Sequence, residues 1–224
     1  MIVMSTMVEQ IMKSPNAVKQ FKALQDAIAE ETRHRHAFYD WIDEDTKAEF
    51  INGQIVMHSP VKSRHLNASN QLSSLLTLFV GVKQLGLITV EKAMISLTRN
   101  DYEPDICFFS SLKEATFTPD LMLFPAPDFI VEVLSKSTAK NDRGVKKEDY
   151  AAHGIQEYWI IDPIKQTIEQ YVLISEQDTS YFQPRIYRMD DDIESRVITG
   201  FKIPIRAIFD KQAHIEAMKA LLGS

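Results

Sequence analysis

One cysteine, Cys107, stands in the whole chain of 224 residues. An internal disulfide and a cysteine-based zinc site are therefore excluded. Cys107 lies in an apolar stretch and reads as a small buried hydrophobe. The seven glycines include no Gly-x-Gly pair, and none precedes Lys-Ser or Lys-Thr. Phosphate-cradling nucleotide motifs are thus missing, and no nucleotide cofactor is expected. There is no Gly-x-Ser-x-Gly elbow and no His-Glu-x-x-His pattern. No basic segment followed by an apolar core and a cleavage site opens the chain, so no secretory leader is read. The longest apolar run, 75–82, is broken by Thr77 and Gly81 and is too short to span a bilayer. These absences predict a cytoplasmic protein with no membrane partner. An excess of positive charge is missing too. The net charge of −6 argues against phosphate binding over the whole surface but leaves room for a local basic groove.

What is present is an ordinary globular composition, 45% hydrophobic and 25% charged, enough for one domain with elaborations. The first 35 residues or so read as a helical arm. Ser14 is placed as N-cap with Pro15 at the first helical position, and Val18, Phe21, Leu24 and Ile28 recur at helical spacing. The run Arg33-His34-Arg35-His36 reads as a solvated helix end, and Phe38 to Trp41 as a second short helix. Asn52-Gly53 between apolar runs marks a β-hairpin. A helix is predicted over 63–82, stopped by Gly86, with His65 in its first turn. That histidine is a site candidate, although a surface histidine at a helix end is as common. A long or bulged strand follows over 87–97, a turn at Asn100-Asp101, and a strand over 105–109 opened by Pro104. The loop 111–127 carries Leu121, Met122, Leu123 and Phe124, which are either packed or a self-association patch.

The strongest stretch is 129–162. Phe129, Ile130, Val131, Val133 and Leu134 form a continuous apolar run, the mark of a strand buried on both faces. Glu132 sits in its middle, and an unpaired buried carboxylate is costly enough that it needs a partner. Asp105 lies on the preceding strand. A helix is predicted over 138–153 with Gly154 after its end, then a strand over 157–161, so that strand, helix and strand make a parallel crossover. Segments 168–174, 181–188 and 196–199 continue as an antiparallel meander, with Asp190-Asp191-Asp192 as a solvated turn. A helix over 211–222 closes the chain. Asp105 and Glu132 offer hard oxygen ligands from neighbouring strands, which suits Mg²⁺ or Mn²⁺. Lys136, Lys140, Arg143, Lys146 and Lys147 form a local basic patch. They read equally as phosphate contacts or as a solvated helix face.

Several of these residues together resemble one family. Glu49-Phe50-Ile51-Asn52-Gly53-Gln54-Ile55-Val56-Met57, Ser59-Pro60 and His65 are followed by Pro104-Asp105 and by Phe129 to Ser135 with Ser137-Thr138. Asp142, Lys146, Tyr150, Gly154 and Glu157 to Asp162 complete the set. The pattern resembles the Uma2 (DUF820) family, placed in the PD-(D/E)XK restriction-endonuclease-like superfamily, over roughly 49–209. The resemblance implies an α/β (α+β) fold: a restriction-endonuclease-like core with a mixed central sheet flanked by helices. Here that core carries an added antiparallel β-meander and the N-terminal helical arm. The implied division is an arm over 1–45, the domain over 46–210 and a C-terminal helix over 211–224 packed on it.

By the same resemblance Asp105 is the Pro-Asp acid, Glu132 the second acid and Glu49 an additional upstream acid. Leu134 occupies the place two residues after Glu132 where the superfamily carries its lysine, and the matching lysine is Lys146 on the following helix. Asp105 and Glu132, helped by Glu49, are then the metal set, and Lys146 positions the nucleophilic water. His65, Lys136, Lys140, Arg143 and Lys147 are the candidate nucleic-acid contacts. The expected activity is Mg²⁺- or Mn²⁺-dependent hydrolysis of DNA phosphodiesters. A homodimer is expected through the 121–124 loop or the arm. The alternative is a non-catalytic nucleic-acid- or protein-binding module on the same fold.

Overall fold

A computed structural model describes residues 6–43, 45–91, 93–175 and 177–223, so the first five positions and the last of the expected arm and closing helix lie outside it, as do 44, 92 and 176. The chain opens with α1 (Thr6–Met12) and α2 (Ala17–Trp41). Helix α2 starts two residues later than expected, with Asn16 as N-cap, and Ser14 Oγ instead accepts from the Asn16 N–H. It also runs unbroken through Phe38 to Trp41. The expected break between 36 and 38 is absent because Arg35 is not a solvated end. Its guanidinium holds both carboxylate oxygens of Asp101 at 2.7 Å, which ties the helix to the domain.

Strands β1 (Ala48–Ile51) and β2 (Gln54–Met57) form the hairpin. Asn52 and Gly53 both take positive φ, 50° and 80°, as a tight two-residue turn requires. Helix α3 (Ser63–Lys83) ends at Gln84 in the left-handed conformation, not at Gly86. Leu72, Leu75, Leu76 and Phe79 are buried as expected, but Leu66 is exposed. The expected strand over 87–97 is two strands, β3 (Gly86–Val90) and β4 (Met94–Ser96), lying in different sheets. Glu91, at φ 53°, turns the chain between them. Asp101 begins β5 (Asp101–Tyr102) and is not a turn residue. Then come β6 (Ile106–Ser110), α4 (Ser111–Glu114), β7 (Leu123–Phe124) and β8 (Phe129–Val133).

The helix expected over 138–153 is interrupted. It comprises α5 (Ala139–Asn141), a kinked turn over Asp142–Lys146 in which Gly144 leaves the helical region (φ −111°, ψ −109°), and α6 (Lys147–Ala152). Strand β9 (Glu157–Asp162) runs parallel to β8, as the crossover requires. Strand β10 (Thr167–Val172) and the short β11 (Arg185–Tyr187) continue that sheet antiparallel. The rest of the meander is a separate ribbon of β12 (Asp192–Glu194) and β13 (Lys202–Pro204), and 196–199 is not a strand. The closing helix α7 spans Lys211–Leu222.

The larger sheet has the order β11-β10-β9-β8-β6-β3, and the smaller β2-β1-β5-β4-β7. Helix α3 and the C-terminal elements pack on one face of the larger sheet, through Leu72, Leu76, Phe108, Val131 and Trp159. Its other face meets the smaller sheet and α6 through Ile130, Ile160, Tyr102 and Tyr150. Helix α2 covers the far side of the smaller sheet, where Phe38 meets Phe50 and Met94. Among the described residues no helix is long and apolar enough to cross a membrane.

Candidate active site

Side chains alternate faces along a strand, and that alternation builds the site. On β8, Phe129, Val131 and Val133 enter the α3 side while Ile130 faces the other layer, so Glu132 also points between the two sheets. Strand β6 pairs Ile106 with Val131 antiparallel, and one step further sets Asp105 beside Glu132. On β1, Phe50 faces α2, so Glu49 faces the opposite way, toward the same space. The chain thus sends Glu49, Asp105 and Glu132 from two sheets to one cleft of about 370 Å³, and Lys146 reaches it from the kinked turn.

Lys146 is the centre. Its side chain is buried, with Nζ 2.7 Å from Glu49 Oε1, 2.9 Å from Glu132 Oε1 and 3.7 Å from Asp142 Oδ1. Tyr150 OH also donates to Glu132 Oε1 at 2.9 Å. Glu49 Oε1 accepts the Glu103 N–H at 3.0 Å, and its Oε2 lies 3.3 Å from His58 Nε2. Asp105 Oδ2 accepts the Val133 N–H at 2.7 Å and lies 3.3 Å from His65 Nε2.

Charge is unevenly matched here. Burial pushes the Glu132 carboxyl up, Lys146 opposes, and the neighbouring Asp142, Asp105 and Glu49 leave it well above the usual carboxylate range. Burial likewise raises Asp142 to about 6 against the pull of Lys146. Glu49 goes the other way: burial opposes its charge, but Lys146 and His58 hold it down to about 2. Asp105 is lowered, since His65 and the Val133 N–H outweigh its burial. Lys146 stays charged far above the ordinary lysine range, because Glu132, Glu49 and Asp142 outweigh its desolvation. Three acids therefore share one ammonium, and Asp105 adds to the negative charge around Glu132.

That surplus of negative charge is a fit for a divalent ion, within a limit. Among the described residues no three His, Cys, Asp or Glu side chains converge as a metal cluster. Glu49 is already engaged by Lys146 and His58. The pair left for an ion is Asp105 and Glu132, which suits Mg²⁺, an ion that binds one or two carboxylates and keeps its waters.

The four expected acid and lysine positions meet in one place. Of the expected nucleic-acid contacts, His65, Lys136 and Arg143 line a second cavity that opens beside the cleft. Lys140 and Lys147 line neither cavity; Lys147 instead sits over the Tyr171 ring. Arg143 is also bound to Glu169. Sequence reasoning gave no role to Asp142, Tyr150 or His58. A signal existed for each: Asp142 and Tyr150 lie four residues either side of Lys146, and His58 is the next same-face position after Val56, the partner of Glu49.

The layered α/β fold and the cleft of acids around a buried lysine define a nuclease-like protein, and comparison places it more closely. Residues 35–206 match the model of Uma2, described as "Putative restriction endonuclease". The chain belongs to the Uma2 family. It is 29% identical over 134 residues to the uncharacterized protein sll1609 of Synechocystis, covering 58% of this chain and 75% of that one. A crystal structure of a putative nuclease belonging to DUF820 from Anabaena variabilis superposes with a TM-score of 0.65 at 18% identity. That match covers 77% of this chain and 94% of the other, and it shows the shared fold.

Proposed function

We propose that the protein is a divalent-metal-dependent endonuclease that hydrolyses DNA phosphodiester bonds in the cleft between its two sheets. The observation that carries this reading is Lys146, fully buried yet charged, clamped between Glu49 and Glu132 with Asp105 alongside. A structural ion pair needs one acid; this one has an excess, which makes the set a receiver of cations. Asp105 and Glu132 would hold Mg²⁺ or Mn²⁺, which when bound supplies Lewis acidity toward a phosphate oxygen. Lys146 spends two of its three N–H donors on Glu49 and Glu132. The third is assigned to the attacking water or to charge developing on phosphate. Glu49, itself fixed by His58 and the Glu103 N–H, holds that ammonium in place, so Glu49 acts here as a positioning residue. His65 orients Asp105.

The test compares wild type with Glu132→Gln and Asp105→Asn on plasmid and single-stranded DNA with Mg²⁺ or Mn²⁺. Each substitution is expected to cost about 10³-fold in rate, the scale of losing a positioned charged group. A Mg²⁺-dependent rise in melting temperature should be present in wild type and absent in Glu132→Gln, which reads metal binding apart from turnover. Undiminished cutting by both variants, or a binding protein with no metal response, would remove this reading.

We also assign the homodimer contact to the arm and not to the 121–124 loop. In that loop Phe124 packs on Phe109 and Phe117, and Leu123 joins the α2 contact, so the segment is mostly spent on the domain's own core.

A further inference from the structure

The cleft does not end at the acids. Pro60, Val61, His65, Ser135 and Ser137 line both it and a larger adjoining cavity of about 720 Å³. The wall of that second cavity is mixed in an informative way. Leu134, Val61, Pro163 and Ile164 give it an apolar side, and Lys62, Arg64 and Lys136 stand exposed around it. Ile164 is 72% exposed and Val61 37%. Two large aliphatic side chains held in water beside a catalytic cleft are not explained by the core.

A paired duplex offers a protein its phosphates, sugars and base edges; the apolar faces of its bases are stacked away. A groove meant only for the outside of a duplex needs cations and hydrogen-bond donors. An apolar wall becomes useful when a base is unstacked and can lay its face against protein, as in single strands, bulges and flipped nucleotides. The acids are recessed as well, with Glu132 5% and Asp105 7% exposed. A flexible strand reaches such a point more easily than a rigid rod does. Resting on the nuclease reading above, we propose that this cavity holds the unpaired base next to the scissile phosphate, and that the substrate is single-stranded or locally unpaired nucleic acid. Lys62, Arg64 and Lys136 take the flanking phosphates, and Val61, Leu134 and Ile164 take the base.

The experiment measures binding by fluorescence anisotropy in EDTA, where no cleavage occurs. The probes are a labelled 12-mer single strand, the same strand fully paired, the same duplex with a two-nucleotide bulge, and a single strand of equal charge whose central positions are abasic. The single strand and the bulged duplex are expected to bind at least tenfold more tightly than the paired duplex. The abasic strand should fall toward the duplex value, since phosphates alone do not fill an apolar wall. Ile164→Ser, an uncharged change at an exposed site, should weaken the single strand about tenfold and leave the duplex unchanged. Equal affinity for paired and unpaired DNA, an abasic strand that binds as well as the intact one, or an Ile164→Ser protein indistinguishable from wild type would each overturn the proposal. The nuclease reading is judged separately, by adding Mg²⁺ or Mn²⁺ to the bound strand: preferential binding without cutting would keep the base pocket and discard the catalysis.

Discussion

Asp142 is buried, and its carboxylate lies 3.7 Å from an ammonium that already holds two closer acids. Its position has an energetic sign. Burial raises its carboxyl to about 6 from an ordinary 3.8, so the folded protein binds this proton more tightly than the unfolded chain does. The fold therefore bears a cost above pH 6, on the order of 2–3 kcal/mol. The cost fades as pH falls from 6 to 3.8 and is gone below. Asp142→Asn should accordingly raise the unfolding free energy by about 1–3 kcal/mol at pH 7.5 in EDTA, with no gain at pH 4. Urea titrations of both proteins at the two pH values decide it; a variant that is less stable at pH 7.5 would show that Asp142 is needed as counter-charge for Lys146. Glu49 has the opposite sign. Its carboxyl is held down to about 2, so what it contributes is complete above pH 4.5 and lost as pH falls toward 2. The two acids share a lysine but meet it differently, Glu49 in direct contact at 2.7 Å and Asp142 at 3.7 Å.

At the scale of elements, the site depends on where turns and interruptions fall. Lys146 and Asp142, four residues apart, both point inward across the kink at Gly144, and Tyr158 OH donates to the Asp142 carbonyl there at 3.0 Å. Strand β3 can lie against α4 only because Gly86, at φ 145°, has no side chain: a Cβ there would sit 2.0 Å from the Phe109 carbonyl oxygen. Gly86→Ala should cost about 3 kcal/mol or more, seen as a fall in melting temperature, because both backbone strain and overlap with main chain oppose it. A loss under 1 kcal/mol would mean the β3–β6 edge can shift.

These same elements show what the sequence made legible. Continuous apolar runs exposed β8 and β9 and their crossover, and Asn-Gly placed the first hairpin to the residue. The split between β3 and β4 was hidden, because an apolar run says nothing about which sheet a strand joins. The kink at Gly144 was hidden too, because a glycine inside a helical pattern does not by itself interrupt it. Glu157 looked like an ordinary strand start. It is fully buried and accepts from Trp159, Gln170, Ser195 and the Arg196 and Val197 N–H groups, donors that only the tertiary fold gathers. Of the site, the four central residues were readable by resemblance, and their charge imbalance was not, because it depends on burial.

At the scale of the whole molecule, the arm is the part that the domain does not account for. The family match begins at residue 35, one turn after α2 first touches the body where Arg99 binds Glu31, and the contact continues through Arg35, Phe38 and Tyr39. Before that point every residue from 18 to 30 is exposed, over a length of about 20 Å. Val18, Phe21, Leu24 and Ile28 lie along the same side of the helix that docks Arg35 and Tyr39 further on, since they share its 3.6-residue phase. The smaller sheet offers a matching strip. Ile55 and Met57 pair across from Phe50 and Ala48, so they share the face that α2 covers, at the free edge of β2 where α2 leaves them exposed. Among the described residues, one chain therefore carries an apolar helix face without a floor and an apolar sheet edge without a cover. Two copies related by a twofold axis satisfy both at once, each arm lying on the other's β2 edge, which is the closed, isologous arrangement. Phe21→Glu with Leu24→Glu should convert a dimer to a monomer in light scattering, and Met57→Glu should do the same from the receiving side. A wild-type protein that is monomeric at 100 μM would refute the exchange. A dimer that survives Met57→Glu but not the arm substitutions would place the contact between two arms alone.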